Sequence, residues 1–561
     1  MKNYIFTIVL KVLVVVVIFF SALAVWYFPV MFKGYSPDIV GSAMLVRAKN
    51  LANLDLYSSE NQNNVILSSN RIIDEGQESK AGKKTTGFFY SKIISIFNPD
   101  TNEKIFFINC IILAVALLFF ALSFYFLFGG KIALIFSIIY IFLPLNLSLP
   151  AATGYPFSVL LLSLFIFFIV LGYFSRKTES AVNEQGEKNI FKIIALVFSG
   201  VFLALTCLSN EVFFLILPVL FVYFLLKKNI KYILLVFVPI ILMLGLFWLP
   251  DFVKGNNAYL AHFSGEINHE FESSDYDRFG HIFTDPYTFH YLKDEHINNR
   301  ISKFADSSFI SQLSNKKILY NFGYYDLNFF ERLLIGANLT FSHLIRFLSL
   351  NEFGGPLVFL IFLLGIFSLL KRNNQLLKFY LLWILGGIFL LSFVILSYRN
   401  HMMEYGHFIA LCLALGVLVL SNIIFSKYTF IRSRAIVNLF LLFLLIYHLV
   451  LVGHMKWGDA YNEDTYKKVE HIQVLKSFNG KNSIVAVPFS STFTYNLNYS
   501  TNQSLVIFKE NTVKKLISEN KLSQAFDDFN VEYVYGYSES VLKNITASDE
   551  NIKVVENDYN L

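Results

Sequence analysis

Asp38, in the run Gly34-Tyr35-Ser36-Pro37-Asp38, is the first acidic residue of the chain and follows directly on a long apolar stretch. A carboxylate in that place can take a proton from a hydroxyl group. Aspartate is also a favoured N-cap, so the same residue reads as the start of a helix over 39–51. Cations that suit a phosphate stand at Arg47, Lys49, Lys83, Lys84, Arg399 and His401, because a guanidinium fork or an ammonium group pairs naturally with phosphate oxygens. Arg399 stands out, since its loop is short and otherwise poor in basic residues; the plain alternative is snorkelling to lipid headgroups, which is the commoner role for the lysines. Asp275, Asp277, His281, Asp285, His290, Asp294 and His296 crowd another segment. Their oxygen and imidazole groups suit Mg or Mn. Their spacing is not diagnostic, and a solvated loop face reads first.

These residues need elements to position them, and composition names the class. Hydrophobic residues make up 55% of the chain and charged residues 15%, against about 25% charge in an ordinary soluble domain. The net charge of +6 is mild and does not point to nucleic acid. Apolar blocks of bilayer-crossing length fall at 5–32, 104–128, 132–149, 155–174, 191–208, 211–226, 233–250, 355–370, 379–397, 407–425 and 435–453. The expected fold is therefore mainly α, a polytopic membrane protein with about eleven transmembrane helices. Ala22-Leu23-Ala24 resembles a signal-peptidase site, but the apolar stretch runs on through Val25-Trp26-Tyr27-Phe28. That length predicts a retained helix. Cys110, Cys207 and Cys412 lie inside apolar blocks without ligand spacing and read as small core residues.

Alternate loops carry the basic residues: Lys131; Arg176, Lys177 and Lys188; Lys227, Lys228 and Lys231; Lys371, Arg372 and Lys378; Lys427, Arg432 and Arg434. The positive-inside rule assigns that set to the cytoplasm. The N-terminus is then cytoplasmic, and residues 33–103, about 251–350 and 454–561 lie outside. Within them, Ser42–Leu51, Gly87–Phe97 and Phe330–Leu334 read as amphipathic helices at the membrane surface. The tail alternates helical runs (Asp464–Phe478, Lys514–Phe529) with strand-like runs (Ser483–Val487, Val531–Tyr535), which predicts a small extracytoplasmic α/β domain over 454–561 behind a transmembrane domain over 1–453. No Gly-rich phosphate-binding fingerprint follows either strand.

A first helix, an outer loop opening with Tyr35-Ser36-Pro37-Asp38, surface helices and a helical bundle together resemble the GT-C superfamily. These are membrane glycosyltransferases such as protein O-mannosyltransferases and aminoarabinose transferases. Ala43 and Ala48, the run Thr153-Gly154-Tyr155-Pro156-Phe157, and Leu203–Pro218 are similar as well. Many members carry an Asp-Glu pair where Asp38-Ile39 stands here, and some carry a basic residue near Asn210-Glu211. The resemblance implies a polyprenyl-phosphate-linked sugar donor, a glycan, lipid or protein acceptor, and an inverted linkage made outside the cytoplasm in the cell membrane. It tips Asp38 toward the role of base, and the chemistry of such a donor makes Arg399, Arg47, Lys84 and His401 the candidates for its phosphate. Asp275, Asp277 and His281 are the metal candidates. Two other classes fit the same pattern in part. A transporter of cell-envelope polysaccharide would carry ionisable residues at mid-membrane, and the spans here are nearly free of charge apart from Lys11. A non-catalytic assembly protein would look like a transferase without its base.

Overall fold

The structure is a computed structural model that describes residues 2–33, 73–74, 77–78, 88–97, 102–143, 146, 149–150, 154–174, 185–253, 355–394, 405–427, 433–454, 484–488, 504–508, 510–528, 531–548 and 552–554. The helices α1 (Lys2–Lys33), α2 (Phe88–Phe97), α3 (Asn102–Phe128), α4 (Gly130–Phe142), α5 (Tyr155–Ile169) and α6 (Gln185–Ser209) come first. They are followed by α7 (Ile216–Leu226), α8 (Ile230–Val253), α9 (Pro356–Arg372), α10 (Asn374–Val394), α11 (Gly406–Lys427) and α12 (Ser433–His454). A helix thus overlaps each apolar block read from the sequence. Among the described residues five stretches are long and apolar enough to cross a bilayer: Lys104–Phe128, Tyr155–Phe174, Ile190–Ser209, Ile230–Phe247 and Gly406–Ile424. The chain is a mostly helical, multi-pass membrane protein.

Local chemistry sets several ends differently from the expectation. In the block expected over 132–149, α4 closes at Phe142 and Leu143 turns extended at ψ 124°, with Asn146 helical again beyond it. Pro144 follows Leu143, and a residue before proline is pushed out of the helical region. α5 continues as a π-helical turn over Val170–Phe174, and α7 is preceded by a 3₁₀ turn over Glu211–Leu215. The surface helix expected over 87–97 is α2. Those expected over 42–51 and 330–334 lie outside the described residues.

The chain gathers into two compact units: Met1–Trp26, Ile112–Leu149 and Ser158–His454 form the first, and Tyr27–Ile111, Pro150–Phe157 and Met455–Leu561 the second. In the first, α11 is buried from Gly406 through Leu418 on every side, as a helix apolar all round must be. α9 lies against it so closely that a Cβ on Gly365 would run into the Cys412 carbonyl, and one on Gly416 into the Ile361 carbonyl. α8 instead leaves Leu234, Val238, Ile241 and Leu242 exposed.

The second unit contains a four-stranded parallel sheet in the order β4-β3-β5-β6, with β3 Ile484–Val487, β4 Ser504–Ile507, β5 Val531–Val534 and β6 Lys553–Val554. A two-residue pair, β1 (Ile73–Asp74) with β2 (Gln77–Glu78), precedes it in the chain. Parallel strands need crossovers; α13 (Glu510–Ser518) and α14 (Leu522–Asp528) lie between β4 and β5, and α15 (Glu539–Ser548) lies between β5 and β6. Val485, Ala486, Val487, Phe526, Val534, Val541 and Ile545 form its core. The sequence named β3 and β5 but not β4. It also ran α13 and α14 together, whereas the chain breaks at Asn520 with φ 51°, a left-handed position that asparagine tolerates. The helix expected over 464–478 lies outside the described residues.

Candidate functional site

Asp38, Arg47, Lys84, Arg399 and His401 lie outside the described residues, as do Asp275, Asp277 and His281. The structure describes the scaffold at the borders of their segments.

The segment carrying Asp38, Arg47 and Lys84 begins after α1 and ends before α2. In the second unit, Tyr27 near the end of α1 packs on Phe106 and Phe107 of α3, with ring centroids 6.2 and 5.4 Å apart. Tyr90 of α2 donates from its hydroxyl to Asn109 Oδ1 at 2.9 Å, and Asn109 Nδ2 donates to the Pro150 carbonyl at 3.0 Å. Tyr90 and Asn109 are fully buried. Both borders of the segment are therefore pinned to residues 106–109, and Asn109 has a partner on each side-chain atom. Replacing it with leucine would remove both of these hydrogen bonds, at about 0.5–1.5 kcal/mol each.

The segment carrying Arg399 and His401 is bordered by α10 and α11, and there the first unit holds a knot of aromatic and polar side chains. The His407 imidazole stacks on Phe120 at 4.5 Å with 3° between planes, and lies 5.6 Å from Trp383. Trp383 stacks on Tyr380 at 5.8 Å and meets Tyr405 at 6.0 Å. Asn146 Nδ2 donates to the Tyr140 carbonyl at 2.8 Å. Asn146 Oδ1, the Tyr380 hydroxyl and the Trp383 indole N–H are buried and have no hydrogen-bond partner among the described residues. Contacts of Trp383 with Tyr405 and His407 clamp the two borders of the Arg399 segment together.

Of the tract 153–157, the described residues open α5 as expected: Gly154 takes φ 92°, and Pro156 falls in the first turn, where a missing N–H is harmless. Ser158 and Ser209 share a hydrogen bond of 2.9 Å, tying α5 to the end of α6 just before Asn210-Glu211. The three cysteines are buried and free. No group of three or more His, Cys, Asp or Glu comes together among the described residues.

Sequence reasoning passed over Asn109, Asn146 and His407 because it weighed charges. Each is an uncharged polar or weakly basic residue set in an apolar run, as in Phe107-Ile108-Asn109-Cys110 and Leu145-Asn146-Leu147. A polar side chain inside a span is a signal in its own right.

No family model matches the chain, and no curated protein matches it in sequence. Among solved structures, the oligosaccharyltransferase of Archaeoglobus fulgidus in complex with Zn and sulfate matches 93% of this chain and 67% of its own, at 13% identity and a TM-score of 0.52. Oligosaccharyltransferase AglB of the same organism, in complex with an inhibitory peptide and a dolichol-phosphate, matches 93% and 69% at 13% identity and a TM-score of 0.52. ArnT from Cupriavidus metallidurans bound to undecaprenyl phosphate matches 96% and 88% at 11% identity and a TM-score of 0.45. At such identities the likeness is one of fold: the chain shares the fold of these two archaeal oligosaccharyltransferase structures.

Proposed function

We propose that the chain is a membrane glycosyltransferase that moves a sugar from a polyprenyl-phosphate-linked donor to a glycan, lipid or protein acceptor outside the cytoplasm. The observation that carries the reading is the fold shared over 93% of the chain with an enzyme solved with dolichol-phosphate and a peptide. In this proposal about eleven helices span the cell membrane, the N-terminus is cytoplasmic, and residues 454–561 form an extracytoplasmic α/β domain. Asp38 stands five residues past Lys33, where α1 ends, so the chain reaches no more than about 18 Å from that end to the carboxylate.

The proposed step is a single displacement. Asp38 takes the proton of the acceptor hydroxyl, whose oxygen attacks the anomeric carbon. The bond from that carbon to the phosphate oxygen breaks with its electron pair going to the phosphate, and the linkage inverts. Arg399 meets the departing phosphate as a bidentate partner, with Arg47, Lys84 and His401 as further cations. Mg or Mn, if the enzyme takes one, falls to Asp275, Asp277 and His281; no step here runs through a metal.

Asparagine at position 38 tests the base. It caps a helix about as well as aspartate but cannot accept a proton. Asp38→Asn should express normally, melt near wild type and lose about 10²–10⁴-fold in sugar transfer, read by mass spectrometry of surface glycans and lipid-linked sugars. Wild-type transfer by Asp38→Asn would leave Asp38 as a cap only.

A further inference from the structure

One end of the first unit collects cations from two turns. The α7–α8 turn supplies Lys227, Lys228 and Lys231, and the α9–α10 turn supplies Lys371, Arg372 and Lys378. Both turns are fixed locally. α7 closes with the Asn229 N–H donating to the Phe224 carbonyl at 3.1 Å and the Lys228 N–H to the Leu225 carbonyl at 2.8 Å, with Lys228 left-handed at φ 53°. α10 opens with the Leu376 N–H donating to Asn373 Oδ1 at 3.1 Å. Tyr223 joins the turns: its hydroxyl donates to the Gln375 carbonyl at 3.2 Å, and its ring lies 5.5 Å from Phe379. Tyr173, from the π-helical turn, meets Tyr223 at 6.0 Å and Tyr232 at 5.3 Å.

Lys228, Lys231, Lys371, Arg372 and Lys378 are exposed, and Lys227 is half-buried. Neither α7, α9, α10 nor the turns between them contain an acidic residue. Among the described residues the carboxylate–lysine pairs fall elsewhere, at Lys514–Glu510, Lys521–Glu519 and Lys543–Glu539. Among the described residues these two turns thus form a positive surface with no carboxylate of their own. Beside it, α8 presents Leu234, Val238, Ile241 and Leu242 outward, on one face at helical spacing. Tyrosines with an apolar body and a polar tip stand at the boundary between the two.

We propose that this rim is a docking site for an anionic phospholipid of the surrounding bilayer, its phosphate between the two basic turns and its acyl chains along α8. Charge complementarity selects the headgroup. The broad exposed face of α8 selects a two-chain lipid over a single-chain polyprenyl phosphate, which shares the phosphate chemistry.

The test uses the purified full-length chain in detergent. Its melting temperature and the lipids it retains in native mass spectrometry are read with phosphatidylglycerol, with phosphatidylcholine of the same chains, and with undecaprenyl phosphate. Phosphatidylglycerol should raise the melting temperature and stay bound, phosphatidylcholine should do neither, and about 1 M salt should weaken the effect. The triple variant Lys227→Gln, Lys228→Gln, Lys231→Gln should need roughly a hundredfold more phosphatidylglycerol, while Lys543→Gln should change nothing. An equal shift from phosphatidylcholine would overturn the proposal. So would a phosphatidylglycerol effect indifferent to both salt and the triple variant, or stabilisation by undecaprenyl phosphate only. Should the triple variant fail to insert, the headgroup and salt arms on the unaltered chain decide.

Discussion

The bundle and the sheet are packed with different materials. In the bundle, Gly365 and Gly416 let the backbones of α9 and α11 touch. In the sheet, side chains do the packing: Val485, Val487, Phe526 and Val534 fill the space between strands and helices. Lipid chains are as apolar as leucine, so helices in a membrane gain little by hiding leucine from their surroundings and gain most from close contact. A water-facing unit gains from burial itself. Polar atoms differ in the same sense. The buried Tyr537 hydroxyl of the sheet donates to the Phe508 carbonyl at 2.7 Å. In the bundle, Asn146 Oδ1, the Tyr380 hydroxyl and the Trp383 N–H find no such partner among the described residues. Orphaned polar groups are costly, and departures from full satisfaction concentrate where a protein has work to do.

The largest effect should come from emptying the sheet core. Phe526 is fully buried and lies 5.3 Å from Phe508 ring to ring. Phe526→Ala should cost about 3–5 kcal/mol and raise hydrogen exchange in β3 and β5. Exchange in α9 and α11 should stay slow. Equal loss of protection in both units would mean that they melt as one, and the contrast would fall. A smaller effect is expected in the bundle. Gly365→Ala places a methyl group against the Cys412 carbonyl and should cost about 1–3 kcal/mol. Gly245→Ala, on α8 with open space around it, should instead stabilise the helix by about 0.5–1 kcal/mol. Melting both variants in the same detergent compares them directly, and equal midpoints would show that α9 and α11 are not in backbone contact.

Which parts of this were legible in the sequence follows from the same contrast. Spans are written in block length and composition, so each described long helix of the bundle falls on a block read from the sequence. Their ends depend on single residues, and Pro144 moved one of them by several positions. β4 was missed because its apolar run, Leu505-Val506-Ile507-Phe508, is short and shows no alternation of apolar and polar residues. β3, with Pro488 after it, was easier. Of the candidate site, the charged residues were nameable from type and loop position. The clamps that border their segments, Asn109 and the Trp383–His407 knot, depend on contacts across distant stretches of chain, which no local pattern encodes.

The smallest effect, a pH dependence, sharpens the comparison at its polar edge. Glu510 opens α13 and accepts a hydrogen bond from the Ser538 N–H at 2.8 Å, linking the starts of α13 and α15. That backbone hydrogen bond, aided by the Ser538 hydroxyl and by Lys514, holds its carboxyl below the ordinary value of 4.5. A lowered folded pKa means that the unfolded chain binds the proton more readily. The stabilisation is therefore complete above pH 4.5 and drains away as pH falls through the lower folded value. Glu510 is half-buried and its partner Lys514 is exposed, so screening keeps the effect small. Glutamine keeps an acceptor for the Ser538 N–H but has no charge to lose. Glu510→Gln should flatten the fall in the sheet's unfolding midpoint between about pH 5 and pH 3, followed by exchange in β5 and α15. No Asp or Glu lies in α9, α10 or α11, so exchange in those helices should be indifferent to the substitution across the same range. A pH slope in β5 that is unchanged by Glu510→Gln would assign the acid sensitivity of the sheet to another carboxylate.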